Sequence, residues 1–146
     1  MGELVTSMAK VFSHRIAPTI GSMTESPYPE AASFLGKLVT AVIDRPLHST
    51  HPEWGFSYPV NYGYLPGVPA PDGDNLDVYI LNITVPLRQF MGECIAVIHR
   101  LNDNDDKLVL VPRGQMLTDR QIRNQTNFQE KYFDSVILRE HPQDLK

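Results

Sequence analysis

From Leu38 onward the chain reads as short apolar runs punctuated by proline, glycine and acidic turns, which is how strands and their connections look. Leu38–Ile43 is rich in β-formers and stops at Asp44-Arg45-Pro46, where proline cannot continue a ladder. Asp77–Ile83, Glu93–Arg100 and Lys107–Val111 are predicted as further strands. The short linker Asn102–Asp106 predicts that the last two form an antiparallel hairpin. His48–Tyr64 holds turns and aromatics, and Leu65–Pro71 reads as a stiff Pro/Gly loop rather than an element.

A period of 3.6 appears once. Thr118-Asp119-Arg120-Gln121 is a capping box, in which the hydroxyl serves an orphan N–H and the glutamine reaches back. Ile122, Thr126, Gln129, Phe133 and Val136/Ile137 then mark one face of a predicted helix. The fold class expected is α+β, mainly β: a small closed barrel with this C-terminal helix packed outside it. Residues 1–33 carry no strong period, and Ser26-Pro27-Tyr28-Pro29-Glu30 is a breaker cluster. The division expected is an N-terminal arm over 1–33 and one domain over 34–146.

Composition narrows the function. A chain of 146 residues with 42% hydrophobic and 21% charged residues has room for one proper core. Its net charge of −4 gives no general basic surface for nucleic acid. No apolar stretch approaches ~18 residues, so no membrane helix is expected. The expected location is cytoplasmic. Residues 1–24 faintly resemble an organelle-targeting segment, and Met1–Thr6 fits the loose myristoylation pattern. The single cysteine, Cys94, sits in an apolar run and is expected to be a buried, inert thiol.

The chemistry lies in two acidic turns. Asp72, Asp74 and Asp77 fall within Pro71–Val78, and Asp103, Asp105 and Asp106 within Asn102–Lys107. Carboxylates this close repel unless cations sit between them, and hard divalent cations choose oxygen ligands. Gly73 lets the chain turn tightly between Asp72 and Asp74. If the strand ends meet, the carboxylates converge at the mouth of the barrel, where Mg²⁺ could activate a water and clamp attacking and leaving oxygens. From Asp72 the fifth and sixth loop positions are Leu76 and Asp77, which is not an EF-hand. No zinc spacing and no serine or cysteine nucleophile signature is present.

Tyr58-Pro59-Val60-Asn61-Tyr62-Gly63-Tyr64, followed by Asp72-Gly73-Asp74-Asn75-Leu76-Asp77-Val78 and then Asp105-Asp106-Lys107-Leu108-Val109, closely resembles the soluble (family I) inorganic pyrophosphatases from about Leu38 to about Tyr132. The resemblance implies an OB-like five-stranded antiparallel barrel that hydrolyses inorganic diphosphate to two phosphates with Mg²⁺ and an activated water. It implies a metal set of Asp72, Asp74, Asp77 and Asp105, with Asp103 or Asn102 in the place of a further late aspartate. Asp74 matches the residue that takes the proton from the attacking water. Lys107 matches a phosphate-binding lysine, Tyr62 a tyrosine that bonds to the substrate site, and Tyr132 an active-site tyrosine at the end of the helix. Asp44, Arg45, His51 and Glu53 fall in a substrate-binding stretch, with His51 where the family has a lysine; Phe133 stands where it has another. Arg45, His48, His51, Arg100 and Arg113 are the remaining candidates for positive charge. The small-molecule partner implied is diphosphate, and the family's common homo-oligomers are a further expectation. Two alternatives stay open: hydrolysis of another phosphoanhydride, and a non-catalytic module that binds metal, phosphate compounds or a partner protein.

Overall fold

The computed structural model of the chain describes residues 30–103 and 105–140. The expected arm up to residue 29, the targeting and lipidation readings that fall on it, and the tail 141–146 lie outside the described residues. A 3-10 turn at Glu30–Phe34 buries Ala31 and sets Phe34 against the core. Six strands follow: β1 (Leu38–Arg45), β2 (Asn61–Pro69), β3 (Asn75–Ile80), β4 (Gln89–Arg100), β5 (Asp106–Val111) and β6 (Ser135–Leu138), with helix α1 (Asp119–Glu130) before β6.

The sheet order is β1-β2-β3-β5-β4-β6, and β1 also pairs with β4, so the first five strands close into a barrel. The closed, five-stranded barrel expected from the sequence is present. It is mixed rather than wholly antiparallel, because β3 and β5 pair in parallel with Asp77 opposite Lys107. The predicted β4–β5 hairpin is antiparallel, with His99 opposite Asp106. The long strand β4 has two partners along one edge. Its first half closes the barrel on β1, and its last residues, Val97–Arg100, carry β6.

Two apolar clusters divide the strands by face. Val39, Ala41 and Ile43 of β1, Leu76, Val78 and Ile80 of β3, and Leu108 and Leu110 of β5 fill the lumen. The alternate residues Tyr79, Val109 and Val111 point outward, where Ile122 and Phe128 of α1 and Ile137 of β6 cover them. Strands wrapped on both faces read as apolar runs rather than strict alternation, which explains the uninterrupted burial of β5. Cys94 is buried in the lumen, and burial pushes its thiol up to about 12, so it is inert as expected.

Two elements differ from expectation. All of β2 lies where no strand is expected, residues 61–64 in the stretch read as turns and aromatics and the second half in the segment read as a Pro/Gly loop. Pro66 and Gly67 are tolerated because the β2–β3 register slips between Leu65 and Pro69, and the pairing with β1 runs only as far as Tyr64. The helix keeps its capping box, with Thr118 Oγ1 accepting from Gln121 N at 3.1 Å and Gln121 Oε1 accepting from Thr118 N at 2.8 Å. It ends at Glu130, however, and Val136-Ile137 belong to β6. The free edge of β4 offers these β-branched residues a ladder, and Leu101 N donates to Asp134 O at 2.7 Å to bring them alongside. A strand that buries alternate residues still places Ile137 inward, so the helical spacing and the strand agree at that position by coincidence.

Gly63 holds β1 and β2 in close approach. A Cβ on it would fall 1.9 Å from the Val42 carbonyl oxygen, a backbone atom that cannot swing away. Gly63→Ala is expected to cost roughly 3 kcal/mol or more, at the upper end of overpacking penalties, read as a lower urea midpoint with an unchanged slope.

Candidate functional site: a charged cluster on the outer face of the barrel

Register decides what meets. Asp77 and Tyr79 share the outward face of β3, because Leu76, Val78 and Ile80 take the inward one. Tyr62 stands opposite Tyr79 on β2, and Lys107 stands opposite Asp77 on β5. The convergence therefore forms on the outer face of β2, β3 and β5, near the end of α1, not in the lumen mouth that the strand ends suggested.

At its centre the Lys107 ammonium donates to Asp77 Oδ2 at 2.6 Å and to Asp105 Oδ2 at 2.8 Å. Tyr62 donates its hydroxyl to the same Asp77 Oδ2 at 2.9 Å. Burial alone would lower the Lys107 pKa; the charges of Asp105 and Asp77 outweigh it and hold the amine above its ordinary value. Tyr62 is raised well above the phenolic range by burial and then by the charges of Asp77 and Asp105, so it remains a donor. Burial raises Asp105 to about 6, with Lys107 and Arg100 opposing the shift.

A second cation lies behind Asp105. The buried Arg100 guanidinium grips Glu130 with two bonds, Nε to Oε1 at 3.1 Å and Nη2 to Oε2 at 2.8 Å. Its Nη1 donates to Asp103 Oδ2 at 3.1 Å and lies 3.6 Å from Asp105 Oδ2. Tyr79 donates to Glu130 Oε2 at 2.6 Å and accepts from Gln129 Nε2 at 2.7 Å. Glu130 and Tyr79 were not singled out in the sequence. The available signals were the i, i+2 spacing of Asp77 and Tyr79 on a strand, and a glutamate on the packed side of an amphipathic helix.

The first acidic turn stands at the open side. Gly73 adopts φ +94, Asp74 N donates to Asp72 Oδ1 at 3.0 Å, and Ala70 N donates to Asp74 O at 2.6 Å. Asp72 is near enough for Asp74, Lys107 and Asp77 to act on its charge, and burial raises its pKa. Asp44 likewise feels Asp77, with burial the main cause of its raised pKa and the neighbouring Arg45 opposing it. Burial raises the Tyr58 hydroxyl pKa and the Arg45 charge opposes the shift, and the Tyr58 ring lies 5.7 Å from that of Tyr62.

Other expected site residues lie outside this hydrogen-bond network, although the His51 ring stacks 6.3 Å from that of Tyr58. His51 stacks at 4.9 Å on Trp54, and its Nδ1 accepts from the backbone N–H of Glu53 and of Trp54, both at 3.1 Å. Tyr132 is 61% exposed beside Lys131. Among the described residues, no hydrogen bond or ion pair joins His51, Glu53 or Tyr132 to the carboxylate cluster.

The donor chemistry suits a hard cation. Asp72, Asp74 and Asp77 offer only oxygens, and the carboxylates of the cluster outnumber Lys107 and Arg100. Among the described residues no three acidic, histidine or cysteine side chains already stand in a metal-holding arrangement. The open turn at Asp72 and Asp74 is the part that an ion can enter without displacing an ammonium.

The fold is thus a closed five-stranded barrel whose outer face gathers aspartates, a lysine and a tyrosine. The family comparison is specific: residues 38–138 match the family model for inorganic pyrophosphatase, and the chain belongs to that family. Its fold is similar to an inorganic pyrophosphatase from Helicobacter pylori, at TM-score 0.54 and 18% identity over 70% of this chain and 85% of that one. It is likewise similar to one from Ehrlichia chaffeensis, at TM-score 0.54 and 17% identity over 69% and 84%. No match was found among curated proteins. No helix among the described residues is long and apolar enough to cross a membrane.

Asp105 carries a pH signature. Its folded value of about 6 lies above the ordinary 3.8, so the native state holds this proton more tightly than the unfolded chain. The stabilisation from protonating it is complete below about pH 4 and disappears as pH rises through about 6. Asp105→Asn is expected to flatten that stretch of a metal-free stability–pH curve, followed by urea unfolding at each pH.

Proposed function

We propose that the chain hydrolyses inorganic diphosphate to two phosphates in a Mg²⁺-dependent reaction. The observation that carries this reading is the Lys107 ammonium, fixed between Asp77 and Asp105 beside the Tyr62 hydroxyl and next to the Asp72-Gly73-Asp74 turn. Bound Mg²⁺ would supply charge neutralisation and a more acidic water, and Asp72, Asp74 and Asp77 are the residues that would hold it.

The chain's own groups divide the remaining work. Asp74, exposed at the turn, accepts the proton of the attacking water. Lys107 presents positive charge to a phosphate oxygen, and it is preorganised because two carboxylates hold it in place before substrate arrives. Tyr62 stays protonated and donates. Asp44 and Arg45 lie on the β1 side of the same cluster, where Arg45 can meet a second phosphate. Positioning and electrostatics dominate phosphoryl transfer, so a preformed cationic point next to an acidic metal set is the minimum equipment for it.

A second reading is favoured by one specific observation: among the described residues the contacts of His51, Glu53 and Tyr132 are local and include no hydrogen bond or ion pair to the carboxylates. It makes the domain a non-catalytic binder of metal and phosphate compounds. A hydrolase with a more open pocket for another phosphoanhydride follows from the same observation.

Incubation of the purified chain with Mg²⁺ and diphosphate separates these. The expected result is orthophosphate release that EDTA abolishes, with Asp74→Asn slowing turnover by about 10²–10⁴-fold, the contribution of a positioned base. Release equal to a Mg²⁺-only blank, with Mg²⁺ still bound, establishes the binding module. Release only from larger phosphoanhydrides in a substrate panel establishes the third reading.

A further inference from the structure

Arg100 is enclosed by carboxylates on its donor edges. Glu130 meets its Nε and Nη2 edge, Asp103 and Asp105 meet Nη1, and the Phe133 ring closes one face with its centroid 3.6 Å from Cζ. Arg100 is 6% exposed and Glu130 4%. Arg100 N also donates to Asp105 O at 3.2 Å, so backbone and side chain hold the same loop. Partly and fully buried carboxylates converging from the β4–β5 loop and the end of α1 need a positive charge, and without one they would protonate or recruit a cation. A guanidinium supplies one unit of charge with directional donors; a divalent ion supplies two and asks for several oxygens.

We propose that Arg100 is a built-in cation, filling among Asp103, Asp105 and Glu130 a position that a divalent ion would otherwise occupy, so that exchangeable metal is confined to the Asp72, Asp74 and Asp77 side. The proposal deepens the metal-dependent reading and rests on it for where the exchangeable ions go. It makes two statements about the chain itself. The Asp103–Glu130 side is metal-independent in the wild type. The same side becomes a divalent-cation site once the guanidinium is taken away.

The test uses the full chain without substrate and Mn²⁺ as the probe, with stoichiometry read by titration calorimetry and thermal unfolding followed with and without metal. Arg100→Ala is expected to bind one more Mn²⁺ than the wild type. In chelator its Tm should fall by roughly 10 °C, as for removal of one partner of a buried ion pair, and Mn²⁺ should restore most of the loss while moving the wild type far less. Arg100→Lys retains the charge and is expected to keep the wild-type count. An unchanged Mn²⁺ count in Arg100→Ala overturns the proposal. So does an Arg100→Ala chain that stays unfolded at saturating Mn²⁺, since metal then cannot stand in for the guanidinium. The same extra ion in Arg100→Lys also overturns it, because charge would not be what excludes the metal. Failure here is distinguishable from failure of the hydrolase reading. A wild type that releases no phosphate leaves the Mn²⁺ comparison standing, and an active wild type whose Arg100→Ala variant gains no ion removes this proposal alone.

Discussion

The Lys107 ammonium between Asp77 and Asp105 is the contact on which the rest of the cluster depends. An unpaired ammonium in so buried a place costs several kcal/mol, and a carboxylate beside it without a partner costs about as much. Neither side is stable alone. Together they fix the side-chain directions of Asp77 on β3, Lys107 on β5 and Asp105 in the loop before β5, segments that are distant in sequence. Tyr62 then completes Asp77, and Arg100 completes Asp105. The parallel register of β3 and β5 is what makes the contact available, because a shift by one residue would turn Lys107 into the lumen and a leucine outward.

The same alternation divides labour between the two faces of the barrel. Inward residues of β3 and β5 are aliphatic and supply cohesion. Outward residues begin with charge at one end, Asp77 and Lys107, and become apolar toward the other, where α1 covers Val109 and Val111. Tyr79 marks the transition, with its ring packed at 5.0 Å from Tyr62 and its hydroxyl bound to Glu130 and Gln129. The end of the helix is thereby tied to the charged cluster through Glu130 and Arg100. The helix serves as both lid of the outer core and wall of the site.

Much of this was legible in the sequence. Barrel strands β1, β3, β4 and β5, the β4–β5 hairpin and the capping box are local matters, written in branched residues, a short linker and Thr118-Asp119-Arg120-Gln121. The acidic turns were legible because clustered carboxylates are costly without a purpose, and Lys107 only through its place in the family resemblance. β2 was hidden in its first half by the proline and glycine around its tyrosines, which read as turns, and in its second half by Pro66 and Pro69, whose local signal is strand-breaking and whose tolerance depends on a bulge in the pairing with β3. The helix boundary was hidden because Ile137 suits either a helix or a strand, and only the free edge of β4 decides. Arg100 was visible as a cation, but its three carboxylate partners belong to a loop and to a helix end, and no spacing rule connects position 100 to position 130. The face on which the cluster forms follows from the parallel register, a property of strand pairing that composition and spacing leave open.

The seam between β3 and β5 also governs the order of assembly. β2–β3 and β4–β5 are each joined by short turns and can zip locally, whereas β3 and β5 become neighbours only after all of β4 has been laid down between them. Closing that longer loop is the slower, entropically costlier event. The ion pair at Asp77 and Lys107 straddles the seam, so partly folded chains that contain both hairpins still lack it. Desolvation of these charges falls at the docking step, which makes that step, rather than hairpin formation, the point at which ionic strength acts on the refolding rate.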